Sequence, residues 1–282
     1  MKLRIPSAEI YVPDGLAVDQ AVARTTHLAI AAHQDDIEIM AYHGVLACFG
    51  RSDRWFAGVV VTNGAGSPRD DLYANYTDEQ MMTVRRLEQK KAAFVGEYGA
   101  QAMLDYTSGQ VKDAANPDVV GDIEDILTVA KPDVVYTHNL ADKHDTHVSV
   151  ALRVISAIRK LPRDARPSKL YGCEVWRGLD WLNDDDKVVM DVEAHENLAA
   201  ALLGVFDSQI CGGKRYDLAS VGRRRANATY YASHGTDIST SMNFGMDLTP
   251  LIEDDSLDPG KYLASFTDRF VEEVKSRVSK FK

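Results

Sequence analysis

From Thr26 onward, short apolar runs alternate along the chain with longer stretches of helical period. The runs at 27 to 33, 55 to 62, 101 to 107, 133 to 137 and 169 to 176 carry few charges, and each is followed by a segment of helix length. A strand followed by a helix, repeated, predicts right-handed crossovers and a parallel sheet, so the expected fold class is α/β. Between 78 and 98, Met81, Val84, Leu87, the stem of Lys91, Phe94 and Val95 recur at helical spacing, with Gly96 and Gly99 near the end. That pattern predicts a helix with this apolar face turned inward. Pro132 bars the preceding helix from running into the strand that follows it.

Lys187 to Val192 is short enough for an edge strand, and Ala194 to Phe206 reads as a further apolar helix. Residues 234 to 262, rich in Gly, Ser, Asp and Pro, read as loop. In the tail from Ser265 to Lys282, Phe266, Phe270, Val274 and Val278 fall four apart with charges between them. This predicts an amphipathic helix packed on the body. No repeat, low-complexity tract or linker divides the chain, so one domain over 1–282 is expected, with its core at 25–210 and a C-terminal extension at 211–282.

Composition acts by exclusion. The 282 residues are 45% hydrophobic and 26% charged, enough for a generous core and too apolar for disorder. Lys and Arg number 32 against 42 for Asp and Glu, and the net charge of −10 repels phosphate backbones and anionic lipid. Neither nucleic acid nor a membrane surface is therefore an expected partner. Cys48, Cys173 and Cys211 are odd in number, widely spaced and without a CxxC pair, which argues against a disulfide framework and a thiolate cluster. The cytoplasm is the expected compartment. The N-terminus has no apolar signal region, and no run approaches the roughly 18 apolar residues of a membrane span, so a soluble, unprocessed chain is expected. The acidic surface and the apolar tail permit a homo-oligomer.

The candidate chemistry lies at two strand ends. Leu28-Ala29-Ile30-Ala31-Ala32 runs into His33-Gln34-Asp35-Asp36, and Val134-Val135-Tyr136-Thr137 runs into His138, Asn139, Asp142, His144 and His147. Ligands of an open parallel sheet gather outside the carboxyl ends of its strands, so residues far apart in sequence meet there. Catalytic zinc is commonly held by three His or carboxylate ligands, and His33, Asp36 and His147 supply such a set. Asp35 points elsewhere than its neighbour and is left free as general base toward water acidified by the metal. His144 falls on the face of His147 if a helix opens here, beside the metal without binding it, where it can stabilise an oxyanion or protonate a leaving group. Taken alone, the first cluster also fits a capped helix start with a core histidine. The second cluster is what turns the reading toward a metal. His138 reads as a hydrogen-bonded strand-end histidine or a fourth ligand, and Asp142 as an orienter of His144 or a helix cap.

These motifs resemble those of the LmbE-like, or PIG-L, zinc-dependent N-deacetylases, which act mainly on N-acetylglucosamine-type amides. Ala32-His33-Gln34-Asp35-Asp36 with Ile37-Glu38 is similar to the family's AHPDD signature and its continuation, and Val61-Thr62-Asn63-Gly64 to its VTxG. Arg85, Glu88 and Ala92 are similar to RxxExxxA, Thr137 to His147 to THNxxDxHxxH, and Ser208-Gln209 to a later Ser-Gln. The resemblance covers roughly residues 25 to 210. It implies a Rossmann-like α/β fold, a mostly parallel sheet flanked by helices, with the metal site at the C-terminal strand ends. It also implies Zn2+ on His33, Asp36 and His147, with Fe2+ as another divalent option, and Asp35 as general base. His144 then stabilises the tetrahedral intermediate and Arg85 contacts substrate. Spacing alone does not single out Arg85, and a solvated helix charge is the other reading of it.

Two departures stand out. Gln34 replaces the usual proline, and Thr146 replaces a frequent aspartate, removing a negative charge near His144. The implied activity is removal of an acetyl group from a small-molecule amino sugar or its conjugate. The alternatives are a hydratase or lyase of the same family acting on an unsaturated acid, and a non-catalytic sugar-binding relative. Asn63-Gly64-Ala65-Gly66-Ser67 lacks the endings of phosphate and dinucleotide loops and reads as a pocket border or a turn. Arg223-Arg224-Arg225 reads as a solvated face. Tyr73, Tyr76, Trp176 and Trp181 are candidates to stack on a sugar ring, to pack in the core or to lie at the surface.

Overall fold

All five residues of His27–Ala31 are buried, as a strand covered on both faces demands. Leu28 and Ile30 point into one core and Ala29 and Ala31 into the other, the period of two carried through to both faces of the sheet. A computed structural model describes residues 1–282. Its strands are β1 (Glu9–Tyr11), β2 (His27–Ala31), β3 (Phe56–Thr62), β4 (Ala100–Tyr106), β5 (Val134–His138), β6 (Lys169–Cys173), β7 (Lys187–Asp191) and β8 (Met242–Asp247). They form one sheet in the order β1-β4-β3-β2-β5-β6-β8-β7. The five strands from β4 to β6 in that order are parallel, while β1, β8 and β7 join antiparallel. This is the α/β, mostly parallel, helix-flanked sheet that the sequence predicts.

The order matters for the site. From β2 the chain steps outward through β3 to β4, then returns to the other side of β2 to lay down β5 and β6. The reversal opens a crevice outside the carboxyl ends of β2 and β5, the place where open α/β sheets bind ligands. The helices Val18–Ala23, Asp118–Ala130 and Asp145–Lys160 cover one face, and Tyr42–Cys48, Asp78–Val95 and Glu196–Gly204 the other.

Three expectations are corrected. The helix Asp78–Val95 forms, opened by a capping box between Thr77 and Gln80, but it buries Met81, Arg85, Glu88, Gln89, Ala92 and Ala93. Leu87 and Phe94 are left 61% and 58% exposed. The helix is turned because its polar face meets partners at the site, which offsets the cost of burying those groups. Second, the stretch 234–262 is not loop throughout: β8 lies between β6 and β7 and is almost wholly buried. Its sequence, MNFGMD, lacks the β-branched residues that mark strands. Third, the tail helix runs Pro259–Ser279, yet Phe266 is its one buried residue. β7 does lie at the sheet edge, as its length suggests.

Candidate metal centre and cleft

β2 ends at Ala31, and the next residues turn sharply into the five-residue helix Asp36–Met40. Asp35, just ahead of that helix, has φ +93°, a backbone conformation L side chains rarely adopt. The His33 amide donates to Asp36 Oδ2 at 2.7 Å and ties off the turn. On the other side of the crevice, β5 ends at His138, and His144 immediately precedes the helix Asp145–Lys160, whose first turn carries His147.

The two strand ends converge. His33 Nδ1 lies 3.2 Å from Asp36 Oδ2 and 3.1 Å from His147 Nε2, and His147 Nε2 lies 3.3 Å from Asp36 Oδ2. Three donor atoms thus form a nearly equilateral triangle. Zinc bonds of about 2.0–2.1 Å in a tetrahedral shell set ligand atoms roughly 3.3 Å apart, so these residues fit a divalent cation. His33 is partly open to the cleft, while Asp36 and His147 are buried. Burial works to raise the Asp36 carboxyl, but His147, His33 and His138 outweigh it and hold the group below the ordinary carboxylate range. Burial works to lower His147, yet Asp36 and Asp142 raise it. His33 is lowered, chiefly by desolvation.

The flanking residues differ in what they touch. His138 Nε2 accepts the Ala32 amide at 2.8 Å, which occupies its lone pair and makes it a hydrogen-bonded strand-end histidine. Asp142 accepts the amides of His144 at 3.0 Å and Trp176 at 3.1 Å, and its other contact is His147 Nδ1 at 3.5 Å. It therefore braces the His147 ring, and it meets His144 only through the backbone. The His144 ring stacks on that of His147 at 4.6 Å and stands edge-on to His33 at 5.1 Å, with burial lowering its pKa.

Asp35 lies outside the triangle. Desolvation lifts its carboxyl well above the ordinary range against the opposing pull of Arg85, whose Nη2 is 3.6 Å from Asp35 Oδ2. Arg85 is only 3% exposed and also donates to the Gln34 carbonyl and to Ser67 Oγ, so it is no solvated charge. Glu88 accepts both the amide and hydroxyl of Ser208, at 2.7 and 2.6 Å, which links the helix motif to Ser208-Gln209.

A cleft of about 370 Å³ opens over these groups, lined by His33, Asp35, Asp36, Arg85, His144 and Trp176 together with the loop Asn63 to Pro68, Gln209, Lys214 and Tyr216. The glycine-rich loop is thus a pocket border. Trp176 lines the cleft, with Lys143 and Lys214 at 5.9 and 5.1 Å from its ring centre. Trp181 instead packs against Phe270.

Several supporting residues carry no sequence signal. Gln89 accepts the Asp35 amide at 3.4 Å and donates to Glu38 at 3.0 Å, where Tyr98 also donates at 2.9 Å. Burial pushes Glu38 up to about 7. Arg224, read as part of a solvated face, is 4% exposed and donates to the carbonyls of Glu38 and Ile39 at 2.8 and 3.1 Å. A polar residue within a helix declares no partner, and only the fold supplies one.

Residues 28–158 match the PIG-L family model, described as GlcNAc-PI de-N-acetylase. No curated protein matches the chain. Among solved structures, 4-carboxy-2-hydroxymuconate hydratase from Pseudomonas putida KT2440 is 16% identical over 79% of this chain and 96% of that one, with a TM-score of 0.61. N,N'-diacetylchitobiose deacetylase from Pyrococcus horikoshii is 17% identical over 78% and 83%, with a TM-score of 0.58. Teicoplanin deacetylase, solved in its zinc-inhibited form, is 15% identical over 79% and 97%, with a TM-score of 0.58. At these identities the likeness is one of fold. The segment 28–158 of this chain, which contains both strand-end motifs, is a PIG-L (LmbE-like) domain.

Proposed function

We propose that the chain is a metal-dependent hydrolase that removes an acetyl group from the nitrogen of an amino sugar or its conjugate. The observation that carries this reading is the triangle of His33, Asp36 and His147 donor atoms, with the carboxylate of Asp35 beside it and outside it. A divalent cation held by those three, zinc in the first instance, supplies Lewis acidity, acidifying water and polarising an amide carbonyl. The relatives named deacetylases favour that bond.

Asp35 takes a proton from the water as its oxygen adds to the amide carbon. A carboxylate that lines the cleft beside the triangle is placed to serve as that base. Arg85 keeps the Asp35 carboxylate in place. His144 faces the carbonyl oxygen as charge grows there, a form of stabilisation that supplies a large share of many rate enhancements. The C–N bond then breaks, the proton passes to the departing nitrogen, and acetate and a free amine leave. Trp176 offers a flat apolar face to a sugar ring.

The test pairs metal analysis with acetate release from N-acetylated amino sugars. Asp35→Ala is expected to keep its metal and lose turnover by about 10²–10⁴-fold. His147→Ala is expected to lose the metal as well. Equal metal content in the two variants would overturn the assignment, and water addition to an unsaturated acid without acetate release would move the reaction to hydration.

A further inference from the structure

The cleft holds one ammonium that neither the strand-end motifs nor the proposed reaction uses. Lys214 lines it beside Trp176 and Tyr216 and stands half-buried. Its Nζ lies 5.1 Å from the centre of the Trp176 ring, and that of Lys143 lies 5.9 Å from the same ring. Both distances are within the reach of a cation toward an aromatic face.

The backbone fixes where Lys214 stands. It follows Gly212 and Gly213 in the turn after the helix Asp207–Ile210. A methyl group at residue 212 would run into the Ser208 carbonyl oxygen, and Gly213 has φ +108°, so glycine alone fits at either position. The Lys214 amide then donates to the Gln209 carbonyl at 2.9 Å, and the Lys214 carbonyl accepts the Tyr216 amide at 2.7 Å. The turn is pinned on both sides of the lysine.

No carboxylate neutralises it. The lysines held in salt bridges are Lys90, Lys160, Lys187 and Lys275. Acids close to the turn in sequence or space are engaged by others: Asp70 accepts the Asp71 amide, Asp207 accepts from Tyr73, and Asp217 is paired with Arg215. Within the cleft, Asp35 faces Arg85 and Asp36 belongs to the triangle. A half-buried ammonium without a counter-charge has given up hydration for nothing in the protein. An anion on a bound molecule would offset that loss. In a chain of net charge −10, an anion also needs a local positive field to be drawn in, and Lys214 and Lys143 supply one.

We propose that Lys214 is a specificity-determining residue, selecting substrates that carry a compact anion, phosphate or carboxylate, on the sugar or its conjugate. Lys214 meets the ring proposed to carry the sugar, so the anion it binds is a second feature of the substrate, separate from the reacting amide. This rests on the proposed function for the sugar, and not for the bond that is cleaved.

Calorimetric titration of the Zn2+-loaded full chain with glucosamine, glucosamine 6-phosphate and muramic acid tests it, the free amines being chosen so that no turnover contributes heat. At least one of the two anionic sugars is expected to bind about tenfold tighter than glucosamine, and which one does so separates phosphate from carboxylate. Lys214→Met is expected to bring all three within about twofold of one another with metal content unchanged, and Lys214→Arg to keep the preference. Equal affinities in the parent would overturn the proposal. So would a preference that survives Lys214→Met, which would place the anion on the cation or on Arg85, and so would an equal loss of glucosamine binding in that variant, which would mark a structural role. Binding of none of the three would overturn it together with the proposed substrate class. If no N-acetyl sugar releases acetate while the preference holds and depends on Lys214, the proposed reaction fails and this proposal stands.

Discussion

A methyl group at residue 64 would lie 2.4 Å from Gln34 Oε1 and 3.0 Å from Arg85 Cδ, and the backbone there has φ +76°. Gln34 and Arg85 both brace the loop that carries Asp35 and Asp36, so the glycine protects the site's geometry. Gly64→Ala is expected to cost about 1–3 kcal/mol through the positive φ and the clash, and to lower metal affinity as the loop shifts. Gly66→Ala, with no atom within 4 Å of its added carbon, is expected to stay within about 0.5 kcal/mol of the parent. Urea denaturation of the pair, with metal titration, checks both.

A second residue-level effect lies at the opposite end of β2. Burial, aided by the positive charges of His43 and Arg54, lowers His27 from 6.5 to about 4. The folded state disfavours the charged ring, so this contribution is fully present above the unfolded pKa of 6.5 and is lost as pH falls toward 4. Its upper size is about 3 kcal/mol. His27→Leu is expected to remove that part of the acid sensitivity, seen as a shallower decline in unfolding free energy between about pH 7.5 and about pH 4.5. An unchanged slope would show the ring is not held neutral.

At the scale of elements, the weak member is the helix Asp36–Met40, too short to sustain itself. It is held from below by Arg224 on the helix Tyr216–Tyr230 and by Asn243 of β8, which donates to the Ile39 carbonyl at 3.3 Å. Arg224→Met keeps much of the volume but takes the side-chain donor from the Glu38 carbonyl and leaves the Ile39 carbonyl with Asn243 alone. It is expected to cost about 2–3 kcal/mol and to weaken metal binding about tenfold or more. Arg225→Met, whose exposed pair with Glu196 is screened by water, is expected to change stability by less than about 1 kcal/mol.

This division also marks what the sequence could reveal. His33, Asp36, His144 and His147 were legible because each pair sits in a contiguous motif at the end of an apolar run, and parallel sheets bring such ends together. The supports were not. Gln89 and Arg224 look like any polar residue on a helix, and β8 has Asn, Gly and Met where a strand pattern wants Val and Ile. The inward face of Asp78–Val95 escapes the apolar pattern for the same reason, since apolar periodicity is blind to polar groups that find partners.

For the whole molecule, the consequence of the strand order is that one cation would clasp two parts of the chain 114 residues apart, His33 after β2 and His147 after β5. The unfolded chain has no such convergence of donors. A ligand that binds only the folded state stabilises it by mass action, by about 2.7 kcal/mol when free metal exceeds its Kd a hundredfold. For a chain of 282 residues that corresponds to a rise in Tm of about 5 °C. Stripping the protein with a chelator is therefore expected to lower the calorimetric midpoint by about that amount, and returning Zn2+ to restore it. His147→Ala should start near the stripped value and respond to neither treatment, whereas Asp35→Ala should respond like the parent, because its carboxylate lies outside the triangle. A chelator shift that persists undiminished in His147→Ala would place the cation elsewhere on the chain.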